Sequence, residues 1–169
     1  MSDEIEQHGT AEICDLHPDE VRIIKPGFFH YGGKTRCSGK IVTVQLTEDN
    51  RTLKALLQTP GEGRIAVVDV AGAFCAVVGD NLASYAIEYG WSEILVNGYI
   101  RGVKALSSMP IAVWALGSCP RRSEKRAGGR QGVTLQFGAV RLSSGDFLYA
   151  DEDGILVSAA PFKDISFKE

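Results

Sequence analysis

Two short segments hold the residues best suited to chemistry: Gly79-Asp80-Asn81-Leu82 and Asn97-Gly98-Tyr99-Ile100-Arg101-Gly102. The first follows an apolar run, Ala76-Val77-Val78, and opens a helical pattern. The leading amides of a helix have no partners within it and point at whatever lies beyond its end. Together with the helix dipole they favour a carboxylate or a developing oxyanion. The alternative use of the segment is plainer, with Asp80 capping its own helix. Arg101 stands twenty-one positions after Asp80, just past the next strand pattern. Its guanidinium fork matches a carboxylate in bidentate geometry, and ligands of open α/β sheets gather at strand ends of this kind. A structural Arg101–Asp80 pair with no ligand is the competing reading. Gly79, Asp80, Asn81, Leu82 and Arg101 are thus the candidate binding residues for a small carboxylate.

The elements that must position these residues alternate between helix and strand in the first two thirds of the chain. The patterns predict a helix over Thr10–Leu16 capped by Thr10, an aromatic turn over 28–33 and a strand over Lys40–Leu46. A helix over Arg51–Gln58 capped by Asn50 follows, then buried strands over Arg64–Val70 and Ala76–Val78. Beyond these come a helix over Asn81–Tyr89, a strand over Ile94–Val96 and a helical turn over Val103–Ser107. The last third reads as strands: Ile111–Leu116, Val133–Leu142, Asp146–Ala150 and Gly154–Val157. This succession predicts a layered α/β domain rather than a regular doubly wound sheet.

With 169 residues, 44% hydrophobic and 23% charged, the chain reads as a single globular domain over 1–169. A net charge of −3 argues against a general nucleic-acid binder. Cys14, Cys37, Cys75 and Cys119 are dispersed, without a CxxC pair, as in a reduced compartment and unlike a zinc site. The acidic stretch Met1 to Gln7 is not a secretory signal, and no apolar run approaches the roughly 20 residues that cross a bilayer. A cytoplasmic location, without membrane attachment, is expected.

Other local patterns exclude more than they assign. Arg121, Arg122, Lys125, Arg126 and Arg130 place five positive charges in ten residues, interrupted by Glu124, and Gly128-Gly129 predicts a mobile loop. RNA, an acidic protein segment and solvent are the three uses open to that loop, although no interleaved aromatic offers base stacking. His8, His17 and His30 are scattered and no GxSxG elbow is present, which argues against a serine or cysteine hydrolase. Gly32-Gly33-Lys34-Thr35 imitates the end of a phosphate-binding loop, yet the earlier glycine position is Phe28 and no strand leads into it. No glycine-rich dinucleotide or S-adenosylmethionine fingerprint follows a first strand, which argues against a dehydrogenase or methyltransferase.

From about Thr10 to Ser158 the chain resembles the family that joins the regulator of ribonuclease activity A to the class II 4-hydroxy-4-methyl-2-oxoglutarate aldolases. The resemblance is carried by Ala11-Glu12-Ile13-Cys14-Asp15, Tyr31-Gly32-Gly33, Val67-Val68-Asp69 and Gly79-Asp80-Asn81-Leu82-Ala83. It continues through Gly90-Trp91, Val96 to Arg101, and Leu148-Tyr149-Ala150-Asp151 with Gly154-Ile155-Leu156. The resemblance implies a three-layer ββα sandwich, swivelling-domain-like, assembled as a homotrimer with its site at a subunit interface. In the aldolase branch it implies that residues matching Gly79 to Leu82 and Arg101 hold a 2-oxo acid. The next residue there is an aspartate carrying Mg²⁺ or Mn²⁺. Gly102 stands at that position here, and glycine supplies only its backbone carbonyl to a divalent ion. Asp69, Asp80, Asp151 and Asp153 are the acids that would have to substitute. The regulator branch also lacks the acid and binds ribonuclease E and RNA helicases. The resemblance therefore implies a protein-binding inhibitor of RNA degradation with a vestigial carboxylate site and no cofactor. The alternative is a metal-dependent aldolase or oxaloacetate decarboxylase using Mg²⁺ or Mn²⁺, and direct RNA binding through 121–130 is the third reading.

Overall fold

The computed structural model describes residues 7–126 and 128–168. In chain order the elements are α1 (Thr10–Leu16), β1 (Arg22–Ile23), β2 (Phe29–His30), β3 (Cys37–Gln45), α2 (Arg51–Leu57), β4 (Ile65–Asp69), β5 (Ala76–Val78) and α3 (Asp80–Glu88). They continue with β6 (Glu93–Ile100), α4 (Val103–Leu106), β7 (Ala112–Ser118), β8 (Arg130–Gln131), β9 (Leu135–Phe137), β10 (Val140–Leu142), β11 (Phe147–Asp151) and β12 (Gly154–Ser158). Strands β3, β4, β6 and β7 run parallel in that order, and β5 adds to β6 in the same sense. Beyond β3 the sheet becomes antiparallel through β11, β12 and β1.

Alternation along these strands builds two cores. On β4, Ala66 and Val68 face the helices while Ile65 and Val67 face the other side. On β6, Ile94 and Val96 point to the helical layer and Leu95 away from it. Every one of these side chains is fully buried, which is why 65–68 and 94–96 read as continuous apolar runs rather than half-polar ones. Helices α2 and α3 supply Leu53, Leu57, Ala83 and Ala86 to the first core. The hairpin β9–β10 and strands β11 and β12 close the second. The layers are therefore helix, parallel sheet and antiparallel β, the three-layer ββα sandwich expected from the resemblance. On the outer side of β11 and β12, Tyr149 and Leu156 pack with Ile13 of α1 and with Phe162, Ile165 and Phe167 of the chain's last stretch.

Several local expectations give way to tertiary contacts. Phe29-His30 is not part of a free turn but an edge strand on β7, with His30 opposite Trp114. The predicted strand over Val133–Leu142 folds back on itself, because Gly138 and Ala139 both take left-handed φ values of 58° and 62°. Thr10 does not cap α1. Gly9 occupies the cap position, and Thr10 instead gives its amide and hydroxyl to Asp151 at 2.7 and 2.6 Å. At α2 the side-chain acceptor is Asp49, which receives the Arg51 amide at 2.9 Å, while Asn50 donates to the Val77 carbonyl at 2.9 Å. The four cysteines form no disulfide.

Candidate functional site

Strands β5, β6 and β7 end on one edge of the parallel sheet, so the residues that follow each strand meet there. After β5 comes Gly79, extended at φ −143°, and then α3. The helical ladder begins with Ala83 donating to the Gly79 carbonyl at 3.0 Å. The amides of Asp80, Asn81 and Leu82 lie ahead of that bond and face outward from the helix start. Gly79 holds the cap position and Asp80 is the acid of the first turn, so Asp80 stands one place inside the helix rather than at its cap.

After β6 comes Arg101, whose amide donates to the Val78 carbonyl at 3.0 Å and ties the two strand ends together. Its stem crosses Gly79 so closely that a Cβ there would lie 3.7 Å from Arg101 Cγ. Its guanidinium donates to the Pro120 carbonyl at 3.4 Å. Among the described residues Arg101 joins no ion pair, so the structural Arg101–Asp80 pair is not formed. Gly102 has φ +75° and caps the short helix α4.

After β7 comes Cys119, and the basic stretch begins directly behind it. Ala76 donates to the Arg121 carbonyl at 2.8 Å and accepts from Ser123 at 3.0 Å, which extends the sheet edge across the stretch. Its far end is fixed as well: Gly129 donates to Thr52 Oγ1 at 2.8 Å, and Arg130 lies on β8 opposite Gln45. What the sequence suggested as a free loop is anchored at both ends, close to the α3 start.

The result is one open cleft of about 950 Å³. Gly79, Asp80, Asn81, Leu82 and Arg101 line one part of it, and Arg121, Arg122 and Lys125 line another. Sequence reasoning treated these as unrelated features and did not single out Lys54 or Tyr85, which also line the cleft. The Lys54 ammonium lies over the Tyr85 ring, 5.7 Å from its centroid, joining α2 to α3 across the wall. A signal for this existed, since parallel strands oblige the segments after β5, β6 and β7 to converge.

The other acids considered do not converge on the site. Asp69 accepts from Asn97 and from the Ala71 amide at 3.0 and 3.1 Å, and Asp151 serves α1. Among the described residues no cluster of three or more His, Cys, Asp or Glu side chains is placed to hold a metal ion. Among the described residues, Asp80 and Glu124 are the carboxylates that line the cleft with Arg101, and Glu124 is paired with Arg126. Nor is any helix among them long and apolar enough to cross a membrane.

Comparison with known proteins agrees on family and fold, while the relatives carry different functional names. The model of the RraA-like family, described as Aldolase/RraA, matches residues 10–157. A relative from Xanthomonas campestris pv. campestris named "Putative 4-hydroxy-4-methyl-2-oxoglutarate aldolase" is 42% identical over 153 residues, covering 90% of this chain and 92% of its own. A solved structure described as the RNA-processing inhibitor RraA from Thermus thermophilis superposes with a TM-score of 0.89 at 32% identity, covering 96% of this chain and 99% of its own. Another, described as an S-adenosylmethionine:2-dimethylmenaquinone methyltransferase from Geobacillus kaustophilus, also has a TM-score of 0.89, at 39% identity over 92% of this chain and 97% of its own.

Proposed function

Because the chain belongs to the RraA-like family, which takes in both aldolases and RraA proteins, we propose that it is a regulator of ribonuclease activity. It acts as a protein-binding inhibitor of the RNA-degradation machinery, with a ribonuclease E-like enzyme or an RNA helicase as partner. It retains a site for small carboxylates such as pyruvate or oxalate. The observation that carries this reading is Gly102, a residue without a side chain at the position where a metal-holding carboxylate would follow Arg101. The groups that would hold an anion are the Arg101 guanidinium and the leading amides of α3, whose residues line the same cleft. The half that would hold Mg²⁺ or Mn²⁺ does not fit such an ion, because hard cations need several oxygen ligands and, of the two carboxylates lining the cleft, Glu124 is already paired with Arg126. A carboxylate held by Arg101 and the amides of Asp80 to Leu82 would be oriented but not activated toward an enolate.

The second reading is a metal-dependent 2-oxo acid lyase. Its support is the name carried by the Xanthomonas relative and the presence of Asp80 beside the site. Assays of oxaloacetate decarboxylation with Mn²⁺ and with chelator separate the two. Oxalate binding by calorimetry with no Mn²⁺-dependent turnover is the expected result, and strong Mn²⁺-dependent turnover would overturn the regulator reading. We further propose a homotrimer in the cytoplasm. Sedimentation equilibrium is expected to give three times 18.2 kDa, and a stable monomer at micromolar concentration would exclude it.

A further inference from the structure

The stretch 159–168 lies as a strap across the outer face of β11 and β12. Phe162, Ile165 and Phe167 pack there on Ile13, Tyr149 and Leu156, yet each of the three stays only partly buried. So shallow a cover opens more readily than the core, and the polar contacts beside it weigh in how firmly it sits. Arg36, directly ahead of β3, ties the strap to the segment before α1. It donates to the Lys168 carbonyl at 2.9 Å and to the His8 carbonyl at 2.7 Å, and its guanidinium lies 4.1 Å from the centre of the Phe167 ring. The carboxylate cleft is at the other end of the sheet: it lies past the ends of strands that run parallel to β3, whereas Arg36 stands before the start of β3. His8 and the strap lie outside the residues 10–157 that the family model matches, and the face they cover lies within them.

Two histidines grip the strap, and the bonds they make require opposite protonation states. The His17 ring stacks on Phe162 and bonds Glu20 through Nδ1 at 3.1 Å and Asp164 through Nε2 at 2.8 Å. Ionised carboxylates only accept, so both bonds form together only with the imidazolium, which donates from both nitrogens. His8 works the other way. Its amide donates to the Ser166 carbonyl at 2.8 Å, and its Nδ1 accepts from the Ser166 amide at 3.0 Å. An amide only donates, so Nδ1 must be bare, and a charged His8 would set two N–H groups against each other. We propose that 159–168 is a pH-gated strap, latched by a charged His17 and a neutral His8, so that it sits most firmly in a middle range of pH and loosens on either side. As pH rises His17 loses a proton and with it one carboxylate bond; as pH falls His8 gains a proton and the Ser166 bond is lost. The charged groups facing His17 are Glu20, from the turn after α1, and Asp164 of the strap. Those facing His8 are Glu12 of α1, Asp164 and Arg36. Glu12 and Asp164 would attract a charged His8, but both are exposed and screened by water. The half-buried Ser166 bond, by contrast, is lost outright.

The test is methyl NMR of the intact protein with ¹³C-labelled isoleucine, read from about pH 5, where carboxylates are still ionised, to about pH 9. Ile165 reports the strap, and Ile94, fully buried in the core, reports the fold as a whole. The loosened population at Ile165 is expected to rise about threefold or more toward each end of the range, the worth of one hydrogen bond, while Ile94 stays unchanged. His17→Gln should remove the rise on the alkaline side and leave the acid side. His8→Asn, which keeps an acceptor that does not titrate, should remove the rise on the acid side and leave the alkaline side. A flat profile at Ile165, a rise on one side only, or a rise that persists in the matching variant would each overturn the proposal. So would equal changes at Ile94, which would assign the pH dependence to the whole fold. The wild-type profile decides the matter even if a variant fails to fold.

Discussion

A Cβ placed on Gly102 would lie 3.3 Å from Asp80 Oδ1. The carboxylate of Asp80 thus borders the space into which a side chain after Arg101 would project. In Gly102→Asp two carboxylates would share that space and repel unless a cation sat between them. The variant is expected to gain Mn²⁺ binding by calorimetry. Chelator-sensitive oxaloacetate decarboxylation should appear with it, both effects being weak or absent in wild type. The left-handed φ of +75° should cost about 1–2 kcal/mol in stability, visible as a lower melting temperature. A folded variant that gains neither property would mean that more than this carboxylate separates the chain from the lyases.

Arg101→Ala should weaken oxalate or pyruvate binding by about 1.5–3 kcal/mol, the worth of a charge-assisted contact. Stability should barely change, because the guanidinium is exposed and its one hydrogen bond is the long contact to Pro120. Equal calorimetric affinity in wild type and variant would remove Arg101 from the site.

Asp151→Ala should damage the fold rather than the site. The Asp151 carboxylate is 4% exposed and accepts from the Thr10 amide, the Thr10 hydroxyl and the Asp153 amide, with Arg36 3.8 Å away. Removing it strands these donors in a buried place, at a cost of about 2–4 kcal/mol. Chemical denaturation should show that loss while oxalate affinity in the folded protein stays the same.

His17 predicts a pH dependence of the chain's last stretch. Its ring stacks on Phe162 at 3.9 Å and bonds Glu20 at 3.1 Å and Asp164 at 2.8 Å. The hydrogen bond to Glu20 first, and that to Asp164 second, raise the imidazole pKa above its ordinary value. A raised folded pKa contributes stability that is complete below the unfolded value, about 6.5, and is lost as pH rises through the folded one. The Phe162 amide, bonded to Tyr149 Oη at 3.0 Å, should therefore exchange faster with rising pH than its intrinsic rate accounts for. His17→Gln should abolish that excess, and an excess persisting in the variant would locate the titrating group elsewhere.

The parallel layer was readable from β4 and from Ile94–Val96 of β6, where apolar runs announce burial on both faces, but the continuation of β6 through Asn97 and Gly98 to Ile100 was not. The α3 start was equally readable, because an apolar strand running into Gly79-Asp80 leaves few other structures. Caps were not. Thr10 and Asn50 had the right chemistry at the right places, yet Asp151 and Asp49 took the acceptor roles. In the case of Asp151, the acceptor comes from a strand 141 positions away. The β9–β10 turn was hidden by Ala139, a residue seldom found at positive φ. Arg101 was singled out by local pattern, whereas Lys54 is a helical lysine among others until α2 and α3 are laid side by side.

The contact between Thr10 and Asp151 also bears on how the chain can be made. During synthesis α1 emerges well before Asp151, so it waits for an anchor supplied by β11, and β1 waits likewise for β12. A nascent chain halted before Asp151 would hold Ile13 without its floor of Tyr149 and Leu156 and would leave the β3 edge open where β11 belongs. Such an edge invites pairing with other chains. Completion of this layer must therefore await synthesis of β11 and β12, and products stalled or truncated before them should be the species that aggregate.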